Sequence, residues 1–320
     1  MECFPSVDSM RRLTQGLLLS AVVFTGLLAC GARTGLPIGI HEDAGVDASR
    51  ERGPDVLVED APPPLDVKHL DVVNLACPAG TRFVYVVTET DELVAFDPPT
   101  VSFHAIGKLD CPVPSGFHPF SMAVDRAGDA YVLYGGDGPN FGRLVKVSTK
   151  DASCAATDFN PQYGDFGKFG MGFASKGASP VDDLYVASRT GSNLGRVDVK
   201  VDFGLKGIVK FKPEITDAEL TGTGDGRLFA FFTTTASGGD DTGIAEVNRE
   251  TGDVLGMDPL PGVSMGTAWA FATWGGYFWL FVNPAGQKVV RYDPETKSSV
   301  TFPGYSAPIV GAGVSTCAPQ

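Results

Sequence analysis

A short pattern recurs five times along the chain, and its spacing restricts the fold more than any other feature. In each copy, an alternating apolar strand ends in a polar turn residue. The copies are LVAFD at 93–97, LVKVS at 144–148, LGRVD at 194–198, IAEVN at 244–248 and VVRYD at 289–293. Their first residues lie 51, 50, 50 and 45 positions apart. A period in this range predicts stacked supersecondary units, one for each repeat.

Each repeat contains four strand patterns separated by turn signals. In the second copy they cover 121–125, 129–134, 143–148 and 154–159. The second strands, such as YFWLFV at 277–282, are apolar on both faces, which is typical of strands buried between neighbouring sheets. The first strands are rich in Gly, Ala and Ser, which let backbones approach closely near a crowded axis. Four-stranded units packed radially around an axis predict a β-propeller.

The two ends of the repeat region predict how the ring closes. RFVYVV at 82–87 is already a second-type strand, and IVGAGVS at 309–315 is a first-type strand with no partner after it. Joining the C-terminal strand to the N-terminal three completes one blade. We therefore predict an all-β domain over 77–320: a five-bladed β-propeller of four-stranded antiparallel blades, closed by the C-terminal strand joining the N-terminal blade.

Four cysteines lie in the predicted propeller. Cys77 precedes the N-terminal second strand and Cys317 follows the C-terminal first strand, so their ends meet and we predict a Cys77–Cys317 disulfide. Cys111 and Cys154 lie at the end of one fourth strand and the start of the next, which places them on opposite faces. Either the loop CPVPSGFHP folds back and the two cysteines pair, or both thiols stay free. We predict the pair by elimination, because Cys77 and Cys317 are assigned to each other.

Residues 1–29 have the pattern of a secretory signal peptide. Arg11 and Arg12 form a positive segment, and an apolar run follows from Leu17 to Leu28. This run is too short to span a bilayer, which takes about 20 apolar residues. Residues 1–9 are a poor start for such a peptide, so translation begins at either Met1 or Met10 and we favour Met10.

The sequence LLAC at 27–30 resembles the lipobox of bacterial lipoproteins. The resemblance implies cleavage before Cys30, lipidation of Cys30, and membrane anchoring through the attached chains. The alternative is ordinary secretion with cleavage near Ala29. Gly31 after the cysteine resembles the class sorted to the bacterial outer membrane, facing either the periplasm or the cell surface.

Residues 30–76 predict a disordered linker behind the lipidated Cys30. Acidic residues outnumber basic ones nine to four in 31–76, Pro62 to Pro64 form a triplet, and aromatic residues are absent. Such a segment cannot bury enough apolar surface to offset its chain entropy. It predicts a flexible, partly polyproline spacer between the membrane and the propeller.

The sequence contains no convincing catalytic or metal-binding pattern. Histidines are few, and CxxC, HxH and HExxH spacings do not occur, so we predict no metal and no cofactor. GVSMG at 262–266 matches GxSxG, but a strand pattern follows where a nucleophile elbow needs a helix. Inner-strand acids at Asp125, Asp217 and Glu219 do not form an evident catalytic pair. We predict no catalytic residue.

Aromatic and polar residues cluster in segments predicted to share one face of the propeller. These segments are SGFHPF, PQYGDFGKFG and SMGTAW. They place a tentative ligand site at the pore mouth, made of His118, Phe120, Tyr163, Phe169 and Trp269. Alternatively, these aromatic residues fill the channel as core. The net charge of −13 argues against nucleic acid as a partner.

The elements VDRAGDAYVLY and VVRYDPET resemble the broad superfamily of NHL, SMP-30-like and quinoprotein-like propellers. This resemblance covers about 77–320 and implies architecture only. The SMP-30-like lactonases would imply six blades and an axial metal, and this chain departs from both. The join ACGARTGL before an acidic linker resembles surface lipoproteins of myxobacteria-like organisms.

The sequence is compatible with two functions. The first, which we favour, is a membrane-anchored, non-catalytic binding module for an envelope protein or glycan. The second is an envelope hydrolase of glycosidase or lactonase type, acting at the pore mouth. Clustered carboxylates at the mouth would favour the hydrolase, and an aromatic mouth without them would favour the binding module.

Overall fold

The computed structural model of the protein describes residue 78 and residues 81–136, 142–160, 164–177, 181–234 and 241–320. The predicted signal peptide, Cys30, the linker, Cys77 and Tyr163 lie outside the described residues. Within the described part, twenty strands form five four-stranded sheets. A short 3-10 helix covers Gly164–Gly167.

Each sheet is one blade, and we number the blades in chain order. Blade 1 contains β1 (Val84–Thr88), β2 (Glu92–Asp97), β3 (Ser102–Lys108) and β20 (Ile309–Val314). Blade 2 contains β4 (His118–Val124), β5 (Asp129–Gly135), β6 (Gly142–Ser148) and β7 (Cys154–Ala156). Blade 3 contains β8 (Phe169–Ser175), β9 (Asp182–Ser188), β10 (Asn193–Val197) and β11 (Leu205–Lys210).

The remaining strands form the last two blades. Blade 4 contains β12 (Thr216–Gly222), β13 (Leu228–Thr233), β14 (Thr242–Val247) and β15 (Val254–Pro259). Blade 5 contains β16 (Trp269–Trp274), β17 (Tyr277–Val282), β18 (Lys288–Asp293) and β19 (Ser298–Pro303). All neighbouring strands within the blades pair antiparallel.

The ring closes as the sequence predicts. Strand β20 pairs with β1, and Val84 lies opposite Val314. The five first strands contact one another in the order β20, β4, β8, β12, β16 and back to β20. The prediction of a five-bladed β-propeller closed by its C-terminal strand is therefore confirmed.

The core consists of five apolar clusters, one between each pair of neighbouring blades. The second strands explain this arrangement, because side chains alternate between the two faces of a strand. In β13, Phe229 and Phe231 pack against blade 5, whereas Ala230 and Phe232 pack against blade 3. The central residues of a second strand are therefore apolar on both faces, as the sequence pattern predicts.

The inner strands approach each other through glycine. A Cβ atom added at Gly170 in β8 would lie 2.0 Å from the carbonyl oxygen of Ala218 in β12. One added at Gly313 in β20 would lie 2.7 Å from the backbone nitrogen of Val124 in β4. Only glycine permits such close backbone contact, so these residues set the width of the ring around its axis.

The disulfide Cys111–Cys154 joins blades 1 and 2, with 5.1 Å between the two Cα atoms. Strand twist explains how residues expected on opposite faces can meet. Each strand is rotated by about 20–25° from its neighbour, so a fourth strand no longer runs along the axis of the ring. The end of β3 leans toward blade 2, where a Cβ at Gly107 would lie 3.1 Å from the Ala152 Cβ. The pairing chosen by elimination is confirmed.

The disulfide closes a loop of 43 residues. In the chain-entropy model, a loop of that length stabilises the folded state by about 4 kcal/mol. Cys317 is also disulfide-bonded, while its predicted partner Cys77 lies outside the described residues.

Candidate functional site

One end of the propeller axis gathers the start of β4, β12 and β16 together with the loop after β9. A cavity of about 90 Å³ opens there, beside a smaller one. The side chains that meet around both cavities, which we call the mouth site, are Phe120, Arg189, Asp217, Glu219 and Trp269. They come from four different segments of the chain, so only the closed ring brings them together.

Two residues of the mouth site are the extra residues of β-bulges. In β4, Pro119 and Ser121 lie opposite consecutive residues of β5, which leaves Phe120 as the additional residue. In β12, the register shifts between Thr216 and Glu219, and Asp217 has a φ of 50°. A bulge changes the direction of a side chain and is common beside functional sites. Both bulges bring a large or charged side chain to the cavity.

Arg189 lies between two aromatic rings. Its guanidinium carbon is 5.4 Å from the centre of the Phe120 ring and 5.7 Å from that of Trp269. Its Nε donates to Oδ1 of Asp217 at 3.0 Å, and the indole N–H of Trp269 donates to the backbone oxygen of Asp217 at 3.1 Å. Asp217 thereby fixes both the cation and one ring. The Arg189 side chain remains 38% exposed.

The free donors of Arg189 define what the mouth site can bind. Neither terminal amino group of Arg189 forms a hydrogen bond with a described residue. Lys168 adds a second cation, with its Nζ 5.8 Å from the centre of the Phe120 ring. The mouth of this acidic protein therefore presents unused cationic donors beside aromatic rings. Such donors match a carboxylate, which accepts hydrogen bonds from a guanidinium in a planar fork.

Glu219 forms the floor of the mouth site. It is 3% exposed, and the hydroxyl of Ser121 donates to its Oε2 at 2.7 Å. Burial raises the pKa of Glu219 well above its usual range, against the opposing effects of Ser121, the backbone of Met171 and Arg189. Glu219 therefore keeps its proton to a higher pH than a free glutamate does.

The structure brings two of the five tentative ligand residues together, Phe120 and Trp269. His118 is exposed at the start of β4 and is not among the residues that line the mouth. Phe169 is fully buried between blades 2 and 3, where its ring packs at 5.7 Å from that of Phe159. Tyr163 lies outside the described residues.

Arg189 is the member of the mouth site that the sequence interpretation missed. It directly follows strand β9, and loops between second and third strands open on the mouth face. A charged residue at that loop, on the same face as inner-strand acids, was the available signal. Asp217 and Glu219 were noted as inner-strand acids, but their distance from Arg189 in the sequence concealed the contact.

Among the described residues, no group of three or more His, Cys, Asp and Glu side chains is placed to hold a metal ion. The same part of the chain includes no helix with the length and apolarity needed to cross a membrane. Ser264 of the GxSxG match lies in the connection before strand β16, without the helix that a nucleophile elbow requires.

The fold defines this chain as a five-bladed β-propeller. No family model matches it, and no curated protein matches it. Among solved structures, it is similar to virginiamycin B lyase from Staphylococcus aureus, with 12% identity, 72% of each chain covered and a TM-score of 0.37. A catalytically inactive variant of that lyase with quinupristin has 12% identity, coverage of 73% and 74%, and a TM-score of 0.36.

A structure of the mitotic checkpoint complex is also similar. The identity is 13%, the coverage is 81% of this chain and 77% of the other, and the TM-score is 0.37. Likeness at this level carries no argument about what the chain binds. The evidence about function is therefore the geometry of its own residues.

Proposed function

We propose that this protein is a membrane-anchored, extracytoplasmic propeller that acts as a non-catalytic interaction module. In this proposal, Cys30 carries the lipid, residues 31–76 are the spacer, and the mouth site contacts a protein or glycan of the bacterial envelope. The support for the anchor is the sequence itself: two arginines, an apolar run and LLAC ending at Cys30.

The observation that carries the binding role is the stack of Phe120, Arg189 and Trp269. Tryptophan and arginine are enriched at positions that dominate binding energy in protein interfaces. The stack is fixed by Asp217 before any partner arrives, which reduces the ordering cost of binding. The mouth cavity of about 90 Å³ is well below the roughly 300–1,000 Å³ of small-molecule sites. A projecting group of a larger partner suits it better.

The test places a photo-cross-linking amino acid at position 120 of the full chain in the producing cells. We expect one predominant cross-linked partner, lost when Arg189→Met removes the stacked cation. Arg291→Met is the matched control, since Arg291 also stacks on an aromatic ring, 4.8 Å from the centre of Tyr277, away from the mouth. Absence of a partner, or equal loss in both variants, would contradict the proposal.

The anchor has its own test. Cys30→Ser should move the protein from the membrane pellet to the soluble fraction, because a single substitution removes the site of lipid attachment. Persistence in the pellet after a high-salt wash would show that something other than a lipid on Cys30 holds the protein.

A hydrolase is the second candidate, and one observation favours it. Asp217 and Glu219 both line the mouth site in different surroundings, one paired with a cation and the other buried. Two carboxyl groups in contrasting environments can divide acid and base roles. Hydrolysis of glycosides or lactones that disappears in both Asp217→Asn and Glu219→Gln would establish this activity in place of simple binding.

A further inference from the structure

A second and much larger cavity lies at the opposite end of the propeller from the mouth site. Its volume is about 580 Å³, within the roughly 300–1,000 Å³ of small-molecule sites. Blade 2 contributes the turn between β4 and β5 and part of β5 and β6, and blade 3 contributes Phe173 and the turn after β10. We call it the cleft site. It has no residue in common with the mouth site.

Two largely buried aromatic residues underlie the cleft site, with Tyr131 5% and Phe173 3% exposed. The rings of Tyr131 and Phe173 lie 5.4 Å apart, at the edge of the apolar cluster between blades 2 and 3. The antiparallel register sets Tyr131 directly opposite Lys146, so both side chains lie on the same face of blade 2. Nζ of Lys146 is 2.7 Å from Oδ2 of Asp129. An apolar surface therefore adjoins paired charges.

The charges of the cleft site balance. Asp125, Asp129 and Asp182 supply three carboxyl groups, and Arg126, Lys146 and Lys200 supply three cations. The site is formally neutral, although the chain as a whole carries −13. In a site with both signs of charge, an anionic ligand would be repelled by the aspartates, and a cationic ligand would be repelled by the lysines and the arginine. A neutral ligand with many hydroxyl groups would not, since each hydroxyl both donates and accepts.

Polar groups in the cleft site retain bonding capacity. The hydroxyl of Tyr131 forms no hydrogen bond with a described residue, although the residue is only 5% exposed. The ammonium of Lys146 has three donors and one carboxylate partner. Arg126 is held by Asp182 and Ser175, so one wall is rigid before a ligand binds.

We infer that the cleft site binds a neutral saccharide. Tyr131, Lys146 and Asp125 would bond the hydroxyl groups of the sugar, which would lie over the small part of the Tyr131–Phe173 pair that is exposed. The inference concerns a different face and different residues from the proposed mouth function, so either can fail without the other.

The experiment is calorimetric titration of the full chain with two neutral trisaccharides, maltotriose and chitotriose, and with the charged trigalacturonate. We expect one of the neutral trisaccharides to bind and trigalacturonate to bind at least tenfold more weakly. Tyr131→Phe removes only the unbonded hydroxyl, and Lys146→Met removes only the ammonium. Each should weaken binding by about tenfold, the effect of losing one hydrogen bond to ligand.

Matched controls separate the site from the fold. Tyr185→Phe changes a buried tyrosine of β9 that lies opposite Arg196, as Tyr131 lies opposite Lys146. Lys210→Met removes a lysine paired with Glu214 on the outer strand of blade 3. Both controls, and Arg189→Met at the mouth, should leave affinity unchanged. The inference is overturned if neither neutral trisaccharide binds, if trigalacturonate binds best, or if Arg189→Met abolishes binding while Tyr131→Phe does not.

Discussion

The two ends of the propeller axis each bury a carboxyl group, and they do so differently. At the mouth, Glu219 receives one side-chain hydrogen bond, from Ser121. At the opposite end, Asp182 is 5% exposed, accepts from the hydroxyls of Ser175 and Thr316 at 2.8 and 2.7 Å, and forms an ion pair with Arg126. Glu219 thus has one side-chain donor and a pKa raised by burial, whereas Asp182 has two hydroxyl donors and a cation.

The end of the propeller that contains Asp182 is therefore held by more side-chain bonds than the mouth, which contains Glu219. Asp182 belongs to blade 3, Arg126 follows the first strand of blade 2, and Thr316 follows the first strand of blade 1. One side chain therefore links three blades. Glu219 makes fewer bonds beneath an arginine with unused donors, so that end can exchange partners without breaking the ring.

The largest expected effect comes from removing the carboxyl group of Asp182. Asp182→Ala leaves the buried hydroxyl groups of Ser175 and Thr316 without their acceptor and removes the ion pair of the partly exposed Arg126, at a combined cost of about 3 kcal/mol. Urea unfolding should show a loss of about that size. Asp198→Ala is the control, because its partner Lys206 is exposed and solvent screens a surface ion pair so that it contributes little to stability. Equal losses would mean that Asp182 stabilises the fold no more than a surface ion pair does.

A smaller effect should come from widening the ring with one methyl group. Gly170→Ala directs a Cβ into the backbone of Ala218, whereas Gly313→Ala meets the backbone of Val124 at a longer distance. Overpacking of this kind costs about 1–3 kcal/mol. We expect Gly170→Ala to lower the melting temperature more than Gly313→Ala. The reverse order would mean that the backbone around Gly170 moves to accommodate a methyl group more easily than its close contact with Ala218 indicates.

The third prediction concerns pH. Because burial raises the pKa of Glu219, the folded state keeps a proton that the unfolded state releases above about pH 4.3. Its stabilising contribution is complete below that pH and is lost as pH rises toward the folded-state pKa. As pH rises through this range, the wild type should lose stability relative to Glu219→Gln, because glutamine does not titrate. The difference between their free energies of unfolding should change by up to about 1.4 kcal/mol per pH unit. Glu250→Gln, at an exposed position, is the matched control, and the prediction fails if both variants depart from the wild type by the same amount at every pH.

The repeat pattern was sufficient to predict the architecture. Strand pattern 129–134 corresponds to β5 and 143–148 to β6, each within one residue. The unpaired strand at 309–315 predicted the closing strand β20. These features depend on alternation of apolar side chains and on turn residues, both of which are local and visible in one sequence.

The mouth site was only partly predictable, because it depends on departures from regular alternation. The bulge at Phe120 redirects its ring to the mouth, whereas Phe169 follows normal alternation and points into the core between blades. In β8, phenylalanine and methionine fill that core while Gly170 faces the next inner strand. Neither the bulges nor the contact of Arg189 with Asp217 leaves a periodic signal in the sequence.

The pairing of β20 with β1 also determines when the ring can be completed. Val84 and Val314 pair with each other although they lie near opposite ends of the propeller sequence, and β20 is the last of the twenty strands. During synthesis, the edge of β1 in blade 1 therefore stays unpaired until β20 has left the ribosome. Contacts this distant form slowly. The first part of the domain to be made is thus the last to be finished, and until then its edge needs protection from pairing with other chains.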